Sequence, residues 1–368
     1  MASKIKRIAI CTGGGDAPGL NAVIRAATLA ANNRDWEIYG IRDGFNGLLM
    51  PEQYVDGGLV PLTPERVKGI TSLGGTIIGT TNRGNPLHYP VKGLDGKITE
   101  IDRSDELIRA FQMHEIDALI SVGGDGSMTI ANALAQKGLW VVGVPKTIDN
   151  DLEQTVITFG FDTATAFATE CLDRLHTTAA SHRRVIVVEV MGRYAGWIAL
   201  ESGISGSADV VLIPEIPYDL NIVAEKIHQQ EEAGSNYSIV VAAEGAKPKD
   251  GDVTVAEHEV GRTERLGGVG EKVAAELETL TGKETRVVVL GHLLRGGSPT
   301  RFDRQIALRF GAAAVRALAE GRRSVLVALD PPKVKYVPLE DSIRRMKLVP
   351  LKSDIMMTAR DLGICFGD

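Results

Sequence analysis

The sequence has 368 residues, 44% of them hydrophobic and 24% charged, which excludes wholesale disorder and predicts two domains or one large, internally divided one. Its formal net charge of −6 leaves no basic footprint for nucleic acid, so any phosphate site must be local. Cys11, Cys171 and Cys365 are too scattered for a disulfide framework or a thiolate metal site, no apolar run is long enough to span a bilayer, and the chain enters a strand without a signal-peptide pattern; free thiols, no membrane partner and a cytoplasmic location are expected.

The first predicted element is a buried strand over Ile5–Thr12, followed by the glycine loop Gly13-Gly14-Gly15-Asp16-Ala17-Pro18-Gly19 and an alanine-rich helix to Asn32. Trp36–Ile41 supplies the next strand, so the chain opens as βαβ. Asp16-Ala17-Pro18 breaks the glycine spacing of a dinucleotide fingerprint, which argues against a nicotinamide cofactor and leaves a nucleotide phosphate open. Gly74–Pro86 is a further glycine-rich loop with Thr80, Thr81 and Arg83, read equally well as a surface turn. Ser104–His114 has apolar residues at helical spacing behind a candidate Ser104 cap.

Ile116–Val122 and Leu139–Val144 are short apolar runs of the kind that parallel sheets bury on both faces. The first delivers Gly123-Gly124-Asp125-Gly126-Ser127 to a helix predicted to begin near Ser127, a cradle for phosphate with one carboxylate in it. The second delivers Lys146-Thr147-Ile148-Asp149-Asn150-Asp151, a cation, a hydroxyl and two carboxylates. Each cluster by itself is commonly no more than a solvated turn. Spaced by one helix and one strand, they would leave the same edge of a parallel sheet, and the pair favours a phosphate site with metal and acid–base groups.

The alternation continues with a helix over Asp162–Ala180, a strand over Arg184–Val190, a third strand-to-helix loop Met191-Gly192-Arg193-Tyr194-Ala195-Gly196, and strands over Val210–Pro214 and Tyr237–Ala243, the latter ending at Glu244-Gly245. Residues 246–269 lack periodicity and read as a mobile insertion. A helix over Glu271–Leu280 and a strand over Thr285–Leu290 lead to Gly291-His292-Leu293-Leu294-Arg295-Gly296-Gly297, where His292, Arg295 and Arg286 suggest an anion site. A helix over Arg301–Gly321, a strand over Ser324–Leu329, a basic pair at Arg344-Arg345 and a short helix over Ser353–Leu362 complete the reading.

With GGDAPGLN at Gly14–Asn21, GGDGS at Gly123–Ser127, PKTIDND at Pro145–Asp151, MGR at Met191–Arg193 and GHLLRGG at Gly291–Gly297, the chain resembles a phosphofructokinase over roughly residues 5–330. The resemblance implies an α/β fold of two lobes, each a mainly parallel sheet with helices on both faces, and an active site in the cleft between them. It divides the chain into a donor lobe, 1–159 plus 296–345, and a sugar-phosphate lobe, 160–295 plus 346–368.

The implied reaction is phosphorylation of fructose 6-phosphate at its C1 hydroxyl by MgATP. Asp149 would be the base, with Thr147, Lys146 and Arg193 beside it. Gly15, Arg83, Gly124, Asp125, Gly126 and Ser127 would bind the donor, and Asp125 would hold Mg2+ with support from Asp151. Thr147, Asp149, Met191, Gly192, Arg193 and Glu244 would meet the sugar, and Arg184, Arg286, His292 and Arg295 its phosphate. Arg184 and Arg286 come from the neighbouring subunit in this family, which implies a homo-oligomer with shared sites.

Three features depart from the family pattern. Asn82 stands where bacterial members carry an arginine, with Arg83 one place later; Leu29 and Ser235 leave the effector site incomplete, so no effector is carried over; and Lys146 is the residue of pyrophosphate-using relatives. Gly126 favours ATP, because those relatives carry an aspartate there; ATP is the expected donor and pyrophosphate the alternative. Lipid and NAD kinases share a GGDG loop without the later motifs, and a nucleotide-sensing protein that had lost catalysis would be expected to lack Asp125 or Asp149.

Overall fold

A computed structural model describes residues 5–92, 96–257 and 265–368. The chain opens with β1 (Arg7–Thr12), α1 (Leu20–Asn32), β2 (Glu37–Ile41), the short α2 (Asn46–Leu49), β3 (Leu59–Pro61) and a hairpin of β4 (Tyr89–Lys92) and β5 (Ile98–Ile101). α3 (Ser104–Met113), β6 (Ala118–Gly123), α4 (Asp125–Gln136) and β7 (Trp140–Pro145) follow. A second run consists of α5 (Phe161–His182), β8 (Val185–Val190), α6 (Trp197–Ser205), β9 (Val210–Leu212), α7 (Leu220–Glu232), β10 (Ser238–Ala243), β11 (Val255–Glu257), β12 (Arg265–Leu266), α8 (Val269–Thr281) and β13 (Thr285–Val289). α9 (Arg301–Ala319), β14 (Val325–Asp330), β15 (Lys333–Pro338) and α10 (Asp354–Asp361) close the chain.

Two sheets organise these elements. The larger runs β15-β14-β7-β6-β1-β2-β3, parallel except at its two edge strands, and the smaller runs β13-β8-β10-β9, parallel throughout. Every residue of β6, β8 and β10 is buried, which is why these strands read as mainly apolar runs rather than alternating ones. α1 and α9 cover one face of the large sheet, and α2, α3 and α4 the other. α5, α6 and α10 cover one face of the small sheet, and α7 and α8 the other. Glu189 is the polar exception inside β8; its buried carboxylate accepts the N–H groups of Gly268 (3.2 Å) and Gly270 (2.7 Å) where α8 begins.

Several local expectations are corrected. Ser104 is the first residue of α3 rather than its cap: Arg103 holds the cap position, and the Asp102 carboxylate accepts the Ser104 N–H at 2.8 Å and its hydroxyl at 2.5 Å. α4 starts at Asp125 rather than near Ser127, because extended Gly124 (φ −87°, ψ −162°) turns the chain directly into the helix. Of the stretch 246–269, Pro248 bridges to Tyr218 and β11 pairs antiparallel with β12, while residues 258–264 lie outside the described residues. The basic pair near the end is neutralised: Arg344 meets Asp341 at 3.0 Å and Arg345 meets Glu153 at 2.9 Å. α6 follows the loop that starts at Met191, as a strand-to-helix turn there implies, whereas α7 has no counterpart in the sequence reading.

Candidate active site

The register of the large sheet fixes the site. Thr12 lies beside Val122, and Gly123 beside Pro145, so the loops after β1, β6 and β7 leave one edge together. Gly13 donates to the Val122 carbonyl and Lys146 to that of Gly123, both at 2.9 Å, carrying the ladder one residue into each loop. The loop Gly74–Pro86 docks on them: the Thr80 hydroxyl donates to the Gly14 carbonyl at 2.7 Å and the Gly14 N–H to the Thr81 carbonyl at 2.9 Å. It is part of the site's rim, not merely a surface turn, although the Arg83 side chain is exposed.

Small residues let these loops close on one another. A Cβ on Gly13 would come within 2.7 Å of the Ser127 hydroxyl, and one on Gly15 within 2.5 Å of an Arg295 guanidinium nitrogen. Gly126, in the first turn of α4, differs from both: a Cβ there would meet nothing within 4 Å. Its missing side chain leaves open space.

The ends of β8, β10 and β13 supply the facing wall. Gly192 (φ 144°) and Arg193 (φ 50°) turn the chain sharply, and the Glu244 carboxylate accepts the Arg193 N–H at 3.1 Å. A side chain on Gly245 would run into the Arg193 carbonyl, so the two loops are interlocked. Met191 is half-buried against the core of the small sheet. Arg295 reaches across to the Asp16 carbonyl at 3.3 Å.

Where the walls meet, the charges are buried and mutually perturbed. Lys146 donates to the Gly15 carbonyl at 2.5 Å; burial, then Arg295, lowers its pKa to about 8, against the pull of Asp149, Asp16 and Asp151. Burial raises the Asp149 carboxyl above the usual range, while Arg295, Arg193 and Lys146 draw it back. Asp151 is raised to about 7 by burial, then by Asp149 and Asp125, and Glu244 to about 7 chiefly by burial. One oxygen of Asp149 and one of Asp151 are buried without a hydrogen-bond partner, an arrangement that a bound proton or ligand would relieve. The Thr147 hydroxyl accepts the Asp149 N–H at 3.0 Å and so fixes the acid loop from within.

Asp125 is exposed at the start of α4, close enough to raise the pKa of Asp151. Among the described residues there is no cluster of three or more His, Cys, Asp or Glu that could hold a metal unaided. An exposed carboxylate facing a second one suits Mg2+, which keeps waters and shares its shell with substrate phosphates.

Two expected residues lie elsewhere. Arg184 and Arg286 sit at the opposite end of the small sheet, roughly 20 Å from Arg193 along the six residues of β8. Both bind Glu284, Arg184 through two contacts at 2.7 and 2.8 Å. An anion site of Arg286, His292 and Arg295 within one chain is therefore ruled out by strand direction; His292 and Arg295 share the far end, with His292 exposed. Conversely, the half-buried Lys347 touches the acid loop at Asn150 through its ammonium, and nothing in Met346-Lys347-Leu348-Val349-Pro350 signals that.

The phosphofructokinase family model matches residues 7–318. The chain belongs to the phosphofructokinase family. The ATP-dependent 6-phosphofructokinase of Chloroflexus aggregans is 50% identical over 369 residues, covering 100% of this chain and 99% of that protein. Among solved structures, the T-state phosphofructokinase of Pichia pastoris matches with a TM-score of 0.78 and 32% identity, over 93% of this chain and 36% of that one. The pyrophosphate-dependent phosphofructokinase of Nitrosospira multiformis matches with a TM-score of 0.80 over 99% of this chain and 93% of that one, but at 23% identity, a likeness of fold alone. The expected two-lobed α/β fold thus holds, and since relatives named for different donors share it, the fold does not select the donor.

Proposed function

We propose that this phosphofructokinase transfers the γ-phosphoryl group of MgATP to the C1 hydroxyl of fructose 6-phosphate, giving fructose 1,6-bisphosphate and ADP, as a glycolytic enzyme of the cytoplasm. The observation that carries the reading is the Asp149 carboxylate, buried with a free oxygen where Lys146, Arg193 and Arg295 converge. The C1 oxygen would attack the γ-phosphorus as the bond to ADP breaks, and Asp149 would take the hydroxyl proton. A carboxylate whose pKa is raised by burial is a stronger base than one in water. Arg193 and Lys146 would offset charge on the transferring group. Bound Mg2+ supplies further neutralisation, with Asp125 and Asp151 the residues that would hold it.

Gly15, Gly124, Gly126, Ser127 and Arg83 would line the donor side, and Thr147, Met191, Gly192, Arg193 and Glu244 the sugar side. The sugar phosphate would meet His292 and Arg295 of one subunit and Arg184 and Arg286 of another, in a homo-oligomer. The lobe division at 1–159 plus 296–345 against 160–295 plus 346–368 is supported by Phe159 packing in the core of the large sheet while Phe161, Val349 and Met356 pack in that of the small one.

ATP is favoured by the open space at Gly126, where an aspartate would place bulk and like charge in the path of the nucleotide's α-phosphate. The feature pointing to pyrophosphate, Lys146, gives one of its three N–H donors to the Gly15 carbonyl, and the other two would serve the phosphoryl group of either donor. Catalytic efficiency with MgATP and with Mg-pyrophosphate, measured on one preparation, decides the donor; ATP should be the better. A Cβ at position 126 would meet nothing within 4 Å, so the steep loss of ATP use expected from Gly126→Asp reads the donor site rather than a clash at the backbone. A wild type that works with pyrophosphate and not with ATP would overturn the assignment.

A further inference from the structure

The C-terminal segment places one cation against the acid loop. Lys347 is half-buried, and its ammonium donates to three oxygens: the Asn150 side-chain carbonyl at 3.1 Å, the Thr155 carbonyl at 3.2 Å and the Val156 carbonyl at 2.6 Å. An ammonium has three protons, and the cage offers three acceptors. The Trp197 indole lies beneath it, 5.2 Å from ring centre to nitrogen, and the indole N–H donates to the Lys347 carbonyl at 2.9 Å. The Lys347 N–H in turn donates to the Asp151 carbonyl at 2.9 Å.

The contact falls at the residue between the two carboxylates. Asn150 is left-handed (φ 53°), a conformation that Asn tolerates when its side chain finds local partners. Its side-chain oxygen has two, the Thr158 N–H at 3.2 Å and Lys347. Trp197 opens α6, directly after the loop of Met191, Gly192 and Arg193. Lys347 thus ties the turn that aims Asp149 and Asp151 to the helix behind the facing wall.

We propose that Lys347 is a positioning residue for phosphoryl transfer: a tethered cation that sets the angle of the Asp149–Asp151 turn without touching substrate. Burial lowers its pKa to about 8, with Glu201, Glu153 and Asp151 opposing, so it carries its charge at neutral pH. The inference rests on the proposed function, and wild-type turnover in the same assay tests that reading separately.

Lys347→Met keeps the stem against Trp197 and leaves only the ammonium position open. Its kcat should fall about ten- to a hundredfold, as small misplacements of reacting groups do, with KM for fructose 6-phosphate and for ATP within about threefold of wild type. Ammonium chloride should restore part of the lost kcat, and tetramethylammonium chloride, of equal charge and too large for the cage, should not. A soluble Lys347→Met enzyme with wild-type kcat, or a deficit that both salts relieve equally or neither relieves, overturns the proposal. If Lys347→Met does not fold, Trp197→Phe keeps the ring under the ammonium and removes the anchoring hydrogen bond; kcat should fall several-fold at unchanged KM, and an unchanged kcat overturns the proposal as well.

Discussion

Asp149 and Asp151 lie two residues apart on a turn that buries both, and their protonation is not independent. Each is raised by loss of water, and Asp149 raises Asp151 further by like charge. Such a pair titrates as a unit, so the acid limb of the pH–kcat profile should lie above pH 4, where an ordinary carboxylate would put it. Asp149→Ser should lower kcat by about a hundred- to ten-thousandfold while KM for fructose 6-phosphate changes far less. Steady-state kinetics of this variant check both statements, since a variant that keeps most of its turnover cannot have lost the base. The same residues show where local sequence is informative. Two acids and a lysine in one short loop are visible in the string; that they are buried against Arg295, far along the chain, is not.

Between elements, the N-termini of α5 and α9 meet at one buried carboxylate. Asp303 accepts the Thr163 N–H at 2.8 Å and its hydroxyl at 2.6 Å, and the Thr300 hydroxyl, which caps α9, donates to Asp162 at 2.5 Å. The other oxygen of Asp303 is buried without a partner, and burial lifts its pKa from 3.8 to about 6. The folded state therefore holds this proton more tightly than the unfolded chain. The stability it contributes is complete below the ordinary aspartate range and is lost as pH rises through about 6. Asp303→Asn carries no such titration. In paired denaturation curves the variant should gain on wild type by about 1 kcal/mol between about pH 5 and about pH 7.5. A pH-independent difference would mean that Asp303 is not the titrating group.

At the scale of the molecule, one chain does not complete the proposed sugar-phosphate site. Arg184 and Arg286 lie at the far end of the small sheet on Glu284, a partly exposed arrangement of the kind that contributes little to stability and can exchange partners. Arg184→Ala and Asp149→Ser subunits, each inactive when pure, should regain part of the wild-type rate when mixed, because some sites in the mixed oligomer would draw both intact residues from different chains. No recovery after mass spectrometry has shown subunit exchange would place Arg184 outside any shared site.

The sequence by itself determined the α/β alternation, the strands buried on both faces and the loops that carry the chemistry, because each depends on neighbours within a few residues: an apolar run fixes a buried strand, and glycines with acids fix the turn after it. Five motifs in one order also made the family legible. Tertiary structure alone decided the rest. Parallel register brought the loops after β1, β6 and β7 to one edge, and the direction of β8 and β13 sent Arg184 and Arg286 to the other. The helix start at Asp125 depended on the backbone angles of Gly124. Lys347 became part of the acid loop because the last segment of the chain returns across the cleft, a contact between residues nearly two hundred positions apart that no local pattern encodes.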